Sequence, residues 1–214
     1  MCWNATVSIN TFLLSTFAVL LAAVNKVYPW RVLAFIMSIA AVQFLEFIIW
    51  SYYDNKRVNK YASMMVFFVI ALQPLAAAWM LYDQDRRLMN QLMIAYVVIF
   101  MAGLMFIVTR SRDPFKNMKS DRGRNGHLVW HWMAKGNLHL YMLMTYMVFF
   151  FTSIWLSGVH WLFWVTLATL AMSLYYFWRF DTWGTMWCWT SNVISLVLIA
   201  KVVLSSKVLC NAQE

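Results

Sequence analysis

The chain has 214 residues, 63% of them hydrophobic and 12% charged, with a formal net charge of +9. That apolar excess excludes an ordinary soluble domain. The positive balance does not point to nucleic acid, because the basic residues gather between long apolar stretches, where they set the orientation of membrane spans.

Seven such stretches cover 7–25, 30–53, 61–82, 88–109, 139–159, 161–178 and 183–205. A bilayer core takes ~20 apolar residues per helical span, and backbone in lipid must hydrogen-bond within itself. The expected fold is therefore all-α: a polytopic integral membrane protein of seven transmembrane helices, one domain over 1–214, with the lipid bilayer as its first partner. A homo-oligomer is compatible with this composition.

The first stretch lacks a basic flank and is long enough to span, so it is expected as a span rather than a cleaved signal. Cys2, beside Trp3 at the membrane edge, is a candidate for S-acylation. Lys56, Arg57, Lys60, Arg110, Arg112, Lys116, Lys119, Arg122, Arg124, Lys135 and Arg179 fall on one side, 11 of the 17 Lys and Arg residues. Lys26, Arg31, Arg86, Arg87, Lys201 and Lys207 fall on the other. The positive-inside rule then predicts a cytoplasmic amino terminus, with the sequon Asn4-Ala5-Thr6 unused.

The second stretch holds Glu46, the acidic residue set well inside a span. An ionisable group there is costly and faces the bundle interior or a wet cavity. Gln43, Glu46 and Trp50 share one helical face by their spacing. Two roles fit Glu46, a titrating or ion-binding group or a polar contact that joins helices. Gln73-Pro74 lies mid-span in the third stretch and predicts a kink.

The segment 110–126 carries Pro114, two glycines and a cluster of basic residues, and reads as a solvated cytoplasmic loop. Residues 127–135 are expected to start an amphipathic helix, which would put His127 and His131 on one face. That spacing can hold a metal, but no third ligand is evident and no metal is assigned. His139 and His160 fall at span ends. Cys2, Cys188 and Cys210 form neither a CxxC pair nor an even framework, so no zinc site or disulfide scaffold is indicated.

The last stretch places Cys188, Ser191, Asn192 and Ser195 at i, i+3, i+4 and i+7, a polar stripe that stops near the midplane. Such a stripe suits either a cavity open to the cytoplasm or close helix packing. Lys201 invites comparison with a retinal Schiff base. It sits ~130° around the helix from the stripe, so snorkelling to the outer interface is expected instead. No cofactor is assigned. Trp and Tyr recur at span ends as an interfacial belt.

Met1-Cys2-Trp3-Asn4, with Ser8 and Thr11, resembles the MC(F/W)S opening of a family of small polytopic membrane proteins of bacteria and large DNA viruses. Gln43-x-x-Glu46-x-x-x-Trp50 is similar to its QxxExxxW segment. Gly126-His127-Leu128 and Trp187-Cys188-Trp189 are similar to its later motifs, whereas Asn4 departs from the usual Ser. The resemblance implies a fold and a residue set but no activity. It adds Cys2, His127 and Trp187 to the candidate cavity of Gln43, Glu46, Trp50, Cys188, Ser191, Asn192 and Ser195.

The expected function is a carrier or channel for protons, ions or a small solute, with Glu46 at its centre. One alternative is an intramembrane enzyme acting on a lipid or small amphiphile, with Glu46 and His127 as acid and base and Cys2 or Cys188 as nucleophile. Another is a ligand sensor, retinal-binding protein or structural membrane protein without turnover.

Overall fold

The computed structural model describes residues 4–110, 118–133 and 137–211; the side chains of 137–139 and 206–211 are not described. Cys2 and residues 111–117 of the basic loop lie outside the described residues.

The described residues are helical apart from one short hairpin and the connecting turns. Helix α1 spans Ala5–Val24, α2 Trp30–Ser51, α3 Lys56–Trp79 and α4 Arg86–Arg110. A two-stranded antiparallel hairpin follows, β1 Ser120–Arg122 and β2 Leu128–Trp130. Then come α5 Asn137–Leu156, α6 His160–Phe177, α7 Trp183–Thr190 and α8 Val193–Asn211. Among the described residues six helical segments are long and apolar enough to cross a membrane, with α7 and α8 together forming the sixth. Leu140–Leu156 within α5 is a shorter apolar helix.

Caps explain where the helices start. The Asn4 side chain accepts the Val7 N–H at 2.9 Å, and Asn55 accepts those of Arg57 and Val58 at 3.2 Å. Each satisfies backbone donors that a first helical turn leaves open. Pro74 gives α3 no donor for the carbonyl one turn back. The neighbouring Ala71 carbonyl is taken by the Tyr96 hydroxyl of α4 at 2.7 Å. A cross-helix bond thus lies next to the interruption in the ladder.

Helix α2 is the central element, packing against α1, α3 and α7. Helix α8 closes on α1, and α4 lies outside, against α3 and α5. Gly103 allows α4 to come close to α5, since a Cβ there would stand 2.8 Å from the Met142 sulfur.

The turns sort to two ends of the bundle. One end carries the α2–α3 turn, the hairpin and the α6–α7 turn. The opposite end carries the α1–α2, α3–α4 and α5–α6 turns, tied by an Arg31–Asp83 ion pair, a Gln84–Ser157 hydrogen bond of 2.7 Å and Lys201 over the Trp161 ring at 5.5 Å. Lys201 is thus partnered by an aromatic face at the end away from Glu46.

Two expectations are corrected here. The segment after α4 is not simply a solvated loop leading into an amphipathic helix. Its described part folds into the hairpin, with Ser120, Leu128, Val129, Trp130 and Trp132 buried. And the last apolar stretch is two helices. Thr190 and Ser191 hydroxyls bond the Trp187 carbonyl at 3.0 and 2.8 Å, and Asn192 Nδ2 bonds the Trp189 carbonyl at 2.6 Å. Three successive polar side chains compete with the backbone ladder, which is how such residues break helices.

Candidate functional site

Gln43 and Glu46 lie on the buried face of α2, 1% and 0% exposed. Gln43 Nε2 donates to Glu46 Oε2 at 3.1 Å, and the Thr11 hydroxyl of α1 lies 3.0 Å from Gln43 Oε1. Thr11 has one proton to share between this acceptor and the Val7 and Ser8 carbonyls of its own helix. One turn deeper on α1, the Ser15 hydroxyl bonds Asn192 Oδ1 at 3.0 Å and receives the Ser195 hydroxyl at 2.8 Å. A polar seam therefore runs between α1, α2 and the α7–α8 break.

At the middle of the seam lies a cavity of about 10 Å³, lined by Ser15, Ile36, Ile39, Ala40, Gln43, Cys188, Ser191, Asn192, Ile194 and Ser195. That is about the room one water molecule occupies. The seam extends from Glu46 to the level of Ile36, ~15 Å along the helix axis at 1.5 Å per residue. Beyond it the packing between α1, α2 and α8 is apolar, with Ala18, Ala22, Val32, Phe35, Leu198 and Val202 buried.

Six of the sequence-derived residues thus meet: Gln43, Glu46, Cys188, Ser191, Asn192 and Ser195. Cys188 is buried and lies within electrostatic reach of Glu46. Trp50 sits one turn past Glu46 and stacks on Tyr53 at 5.9 Å, outside the cavity lining. Trp187 points away. Its indole N–H bonds the Thr166 carbonyl of α6 at 3.3 Å, and its ring lies among Tyr146, Phe150 and Phe151. Its role is to fasten α7 to α5 and α6.

His127 is in the hairpin rather than on a helix, 7% exposed, with its ring edge-on to Phe177 at 5.6 Å. Burial disfavours the imidazolium and pushes its pKa down to about 4. His131 instead meets Asp121 at 2.7 Å. Asp121 is partly buried, which opposes ionisation. The Lys119 ammonium at 2.8 Å, and then His131, outweigh that and hold its carboxyl below the usual range. Strand β2 separates the two histidines, so the helical i, i+4 metal geometry is absent. Among the described residues no three His, Cys, Asp or Glu side chains come together.

The hairpin closes the Glu46 end of the seam. Val42 and Ile49, flanking Glu46 on the same face of α2, belong to one buried cluster with Met118, Leu128, Trp130, Trp132 and Cys188. Polar bonds hold it there. Asn59 of α3 both donates to the Ser120 carbonyl at 2.9 Å and accepts the Ser120 N–H at 3.0 Å, as a neighbouring strand would. Ser63 meets Ser120 at 2.7 Å, and Thr185 of α7 bonds the Leu128 carbonyl at 2.8 Å. Gly184 makes room: a Cβ there would stand 2.6 Å from the Met133 sulfur.

The sequence reading missed Ser15 and the hairpin. Ser8, Thr11 and Ser15 follow i, i+3, i+7 spacing, a face that signals Ser15 as a partner. Asn125-Gly126 is a short-range hairpin signal, and Gly126 does take a left-handed φ of 81°. A second polar group on α2 was also not foreseen. Tyr146 donates to Gln73 Oε1 at 2.6 Å, and Gln73 Nε2 donates to the Ser38 carbonyl at 3.2 Å.

No protein-family model, curated protein or solved structure matches this chain.

Proposed function

We propose that this protein spans the membrane seven times and moves protons, alone or coupled to another solute, with Glu46 as the group that takes up and releases them. The observation that carries this reading is the array of buried Glu46 and Gln43 with half-buried Thr11, continued by Ser15, Asn192 and Ser195 around a cavity of about 10 Å³. A cavity of that size suits a proton relayed through hydroxyls, amides and at most one water better than it suits a larger solute. Carboxylates inside spans serve such relays. A helix broken beside a midplane cavity is also a recurring feature of transporters.

In this reading the hairpin end is cytoplasmic, following the excess of basic residues there. The hairpin is the inner barrier, and the apolar packing around Phe35 and Leu198 is the outer one. Turnover then requires the hairpin to lift.

The experiment is proton flux into proteoliposomes under an imposed pH gradient. Glu46→Gln keeps the shape and the hydrogen bond to Gln43 but cannot titrate. It is expected to reduce flux to the protein-free level while the purified protein keeps the parent's melting temperature. Parental flux in Glu46→Gln would end the proposal.

One observation favours a second reading, an intramembrane enzyme on a lipid or small amphiphile. Cys188 lines the cavity within reach of the Glu46 charge, so it is the candidate nucleophile. Cys188→Ser separates the two: a relay tolerates a hydroxyl there, whereas thiol catalysis does not.

A further inference from the structure

The amino-terminal end of α3 carries an open surface groove of about 270 Å³, lined by Arg57, Lys60, Tyr61 and Met64. It lies outside the Glu46 seam. Among the described residues the ion pairs are Arg31–Asp83, Lys119–Asp121 and His131–Asp121, so neither cation of the groove is neutralised by one of them. Asp54 stands nearby in sequence but is not part of the lining. At the opposite end of the bundle cations are engaged by the protein itself: Arg31 pairs with Asp83, and both Arg31 and Arg86 lie over the Tyr82 ring at 4.1 Å.

Below the groove α3 presents a continuous apolar stripe. Tyr61, Met65, Phe68 and Leu72 are 61%, 52%, 47% and 57% exposed. Their spacing of four, three and four residues keeps them on one helical face. From Tyr61 to Leu72 the stripe runs ~16 Å at 1.5 Å per residue, close to half of a ~30 Å hydrocarbon core. Two cations with no ion-pair partner among the described residues, an exposed aromatic ring beside them and an apolar track one leaflet long are the complement of one molecule class.

We infer that this groove and stripe form a binding site for an anionic phospholipid, its phosphate held by Arg57 and Lys60 and an acyl chain lying along Met65, Phe68 and Leu72. The ammonium and guanidinium supply charge-assisted hydrogen bonds to phosphate, and Tyr61 sits at the headgroup level as interfacial aromatics do. A free phosphate shares the headgroup chemistry but not the track.

The test uses the whole purified protein in neutral-detergent micelles, with bound lipid counted by native mass spectrometry. Phosphatidylglycerol should bind in preference to phosphatidylcholine. The double variant Arg57→Gln/Lys60→Gln should weaken phosphatidylglycerol by about 10- to 30-fold, as expected for losing two basic contacts at a membrane surface, and leave phosphatidylcholine unchanged. Phe68→Asn/Leu72→Asn, with the cations intact, should also weaken phosphatidylglycerol. Melting temperatures without added lipid verify that each variant folds, and the single variant Lys60→Gln serves if the double does not. Equal binding of the two lipids by the parent, or parental phosphatidylglycerol binding by the cation variant, would overturn the site. Complete displacement of the lipid by equimolar inorganic phosphate would overturn the lipid assignment.

Discussion

Helices α2 and α4 are alike in sequence terms and opposite in place. Both are long and carry a strongly apolar window, that of α4 having the higher mean hydropathy, yet 56% of the window of α2 is buried against 11% in α4. In lipid, apolarity does not draw a helix inward, because the tails are as apolar as leucine. What separates the two is polarity at mid-helix. Helix α2 carries Ser38, Gln43 and Glu46, and each has a neighbour to bond or approach. Helix α4 offers the interior little beyond Tyr96 and the small Gly103. The polar side chains, costly in lipid, select which helix sits at the centre.

The sharpest way to break this comparison is truncation of one large apolar side chain on each helix. Phe35 of α2 is fully buried, whereas Val98 of α4 is 62% exposed. Phe35→Ala should destabilise by about 3–5 kcal/mol. Val98→Ala should stay within about 0.5 kcal/mol, as for ordinary surface substitutions. Reversible unfolding in micelles measures both, and equal costs would erase the distinction between the helices.

A smaller effect is expected where the hairpin seals the Glu46 end of α2. Gly184→Leu drives a side chain into Met133 and Trp130, the nearest neighbours of the missing Cβ. The cost should be about 1–3 kcal/mol by overpacking. Hydrogen exchange should speed up in Leu128–Trp130 and stay at parental rates in the middle of α4. Unchanged exchange in the strands would show that the hairpin does not seat on α7.

The smallest effect is on pH. The neutral His127 ring is buried, with a folded pKa of about 4 against an ordinary 6.5. Between these values the unfolded chain binds a proton that the folded one refuses, so stability is lost as pH falls through that window and regained as it rises. Asp121 acts in the same direction but lower. Its carboxyl is held below the usual 3.8, so its contribution is present above that value and fades as pH falls further. Acid should therefore loosen the hairpin in two steps, and His127→Gln should remove the upper one. Exchange rates of the hairpin amides, corrected for intrinsic pH dependence, measure this against α4 as the internal reference.

Most of the helical layout was legible, because a run of apolar residues long enough to span is a strong signal on its own. Gln43, Glu46, Asn192 and Ser195 were legible as interior residues for the reason α2 differs from α4: a polar side chain mid-span must find a partner. Which partner was less so, since Ser15 comes from 177 residues away in the chain. The α7–α8 break was hidden by Thr190, Ser191 and Asn192, which read as a stripe on a continuous helix although they also bond its carbonyls. The hairpin was hidden by its charge. Lys119, Arg122 and Arg124 made the segment look solvated, while its anchors, Asn59, Ser63 and Thr185, lie on helices α3 and α7. The resemblance puts Trp187 in the cavity along with Cys188, but adjacent residues on a helix point about 100° apart.

The central claim is that protons reach and leave the Glu46 carboxyl through this seam. Infrared difference spectroscopy of the protein in lipid, stepped between acid and alkaline buffer, observes that directly. The account predicts a carboxyl C=O band that grows on acidification, disappears on return to alkaline buffer, and is absent in Glu46→Gln. A parental spectrum with no pH-dependent band lost in that variant would contradict it, and Glu46 would then be a fixed polar contact between helices.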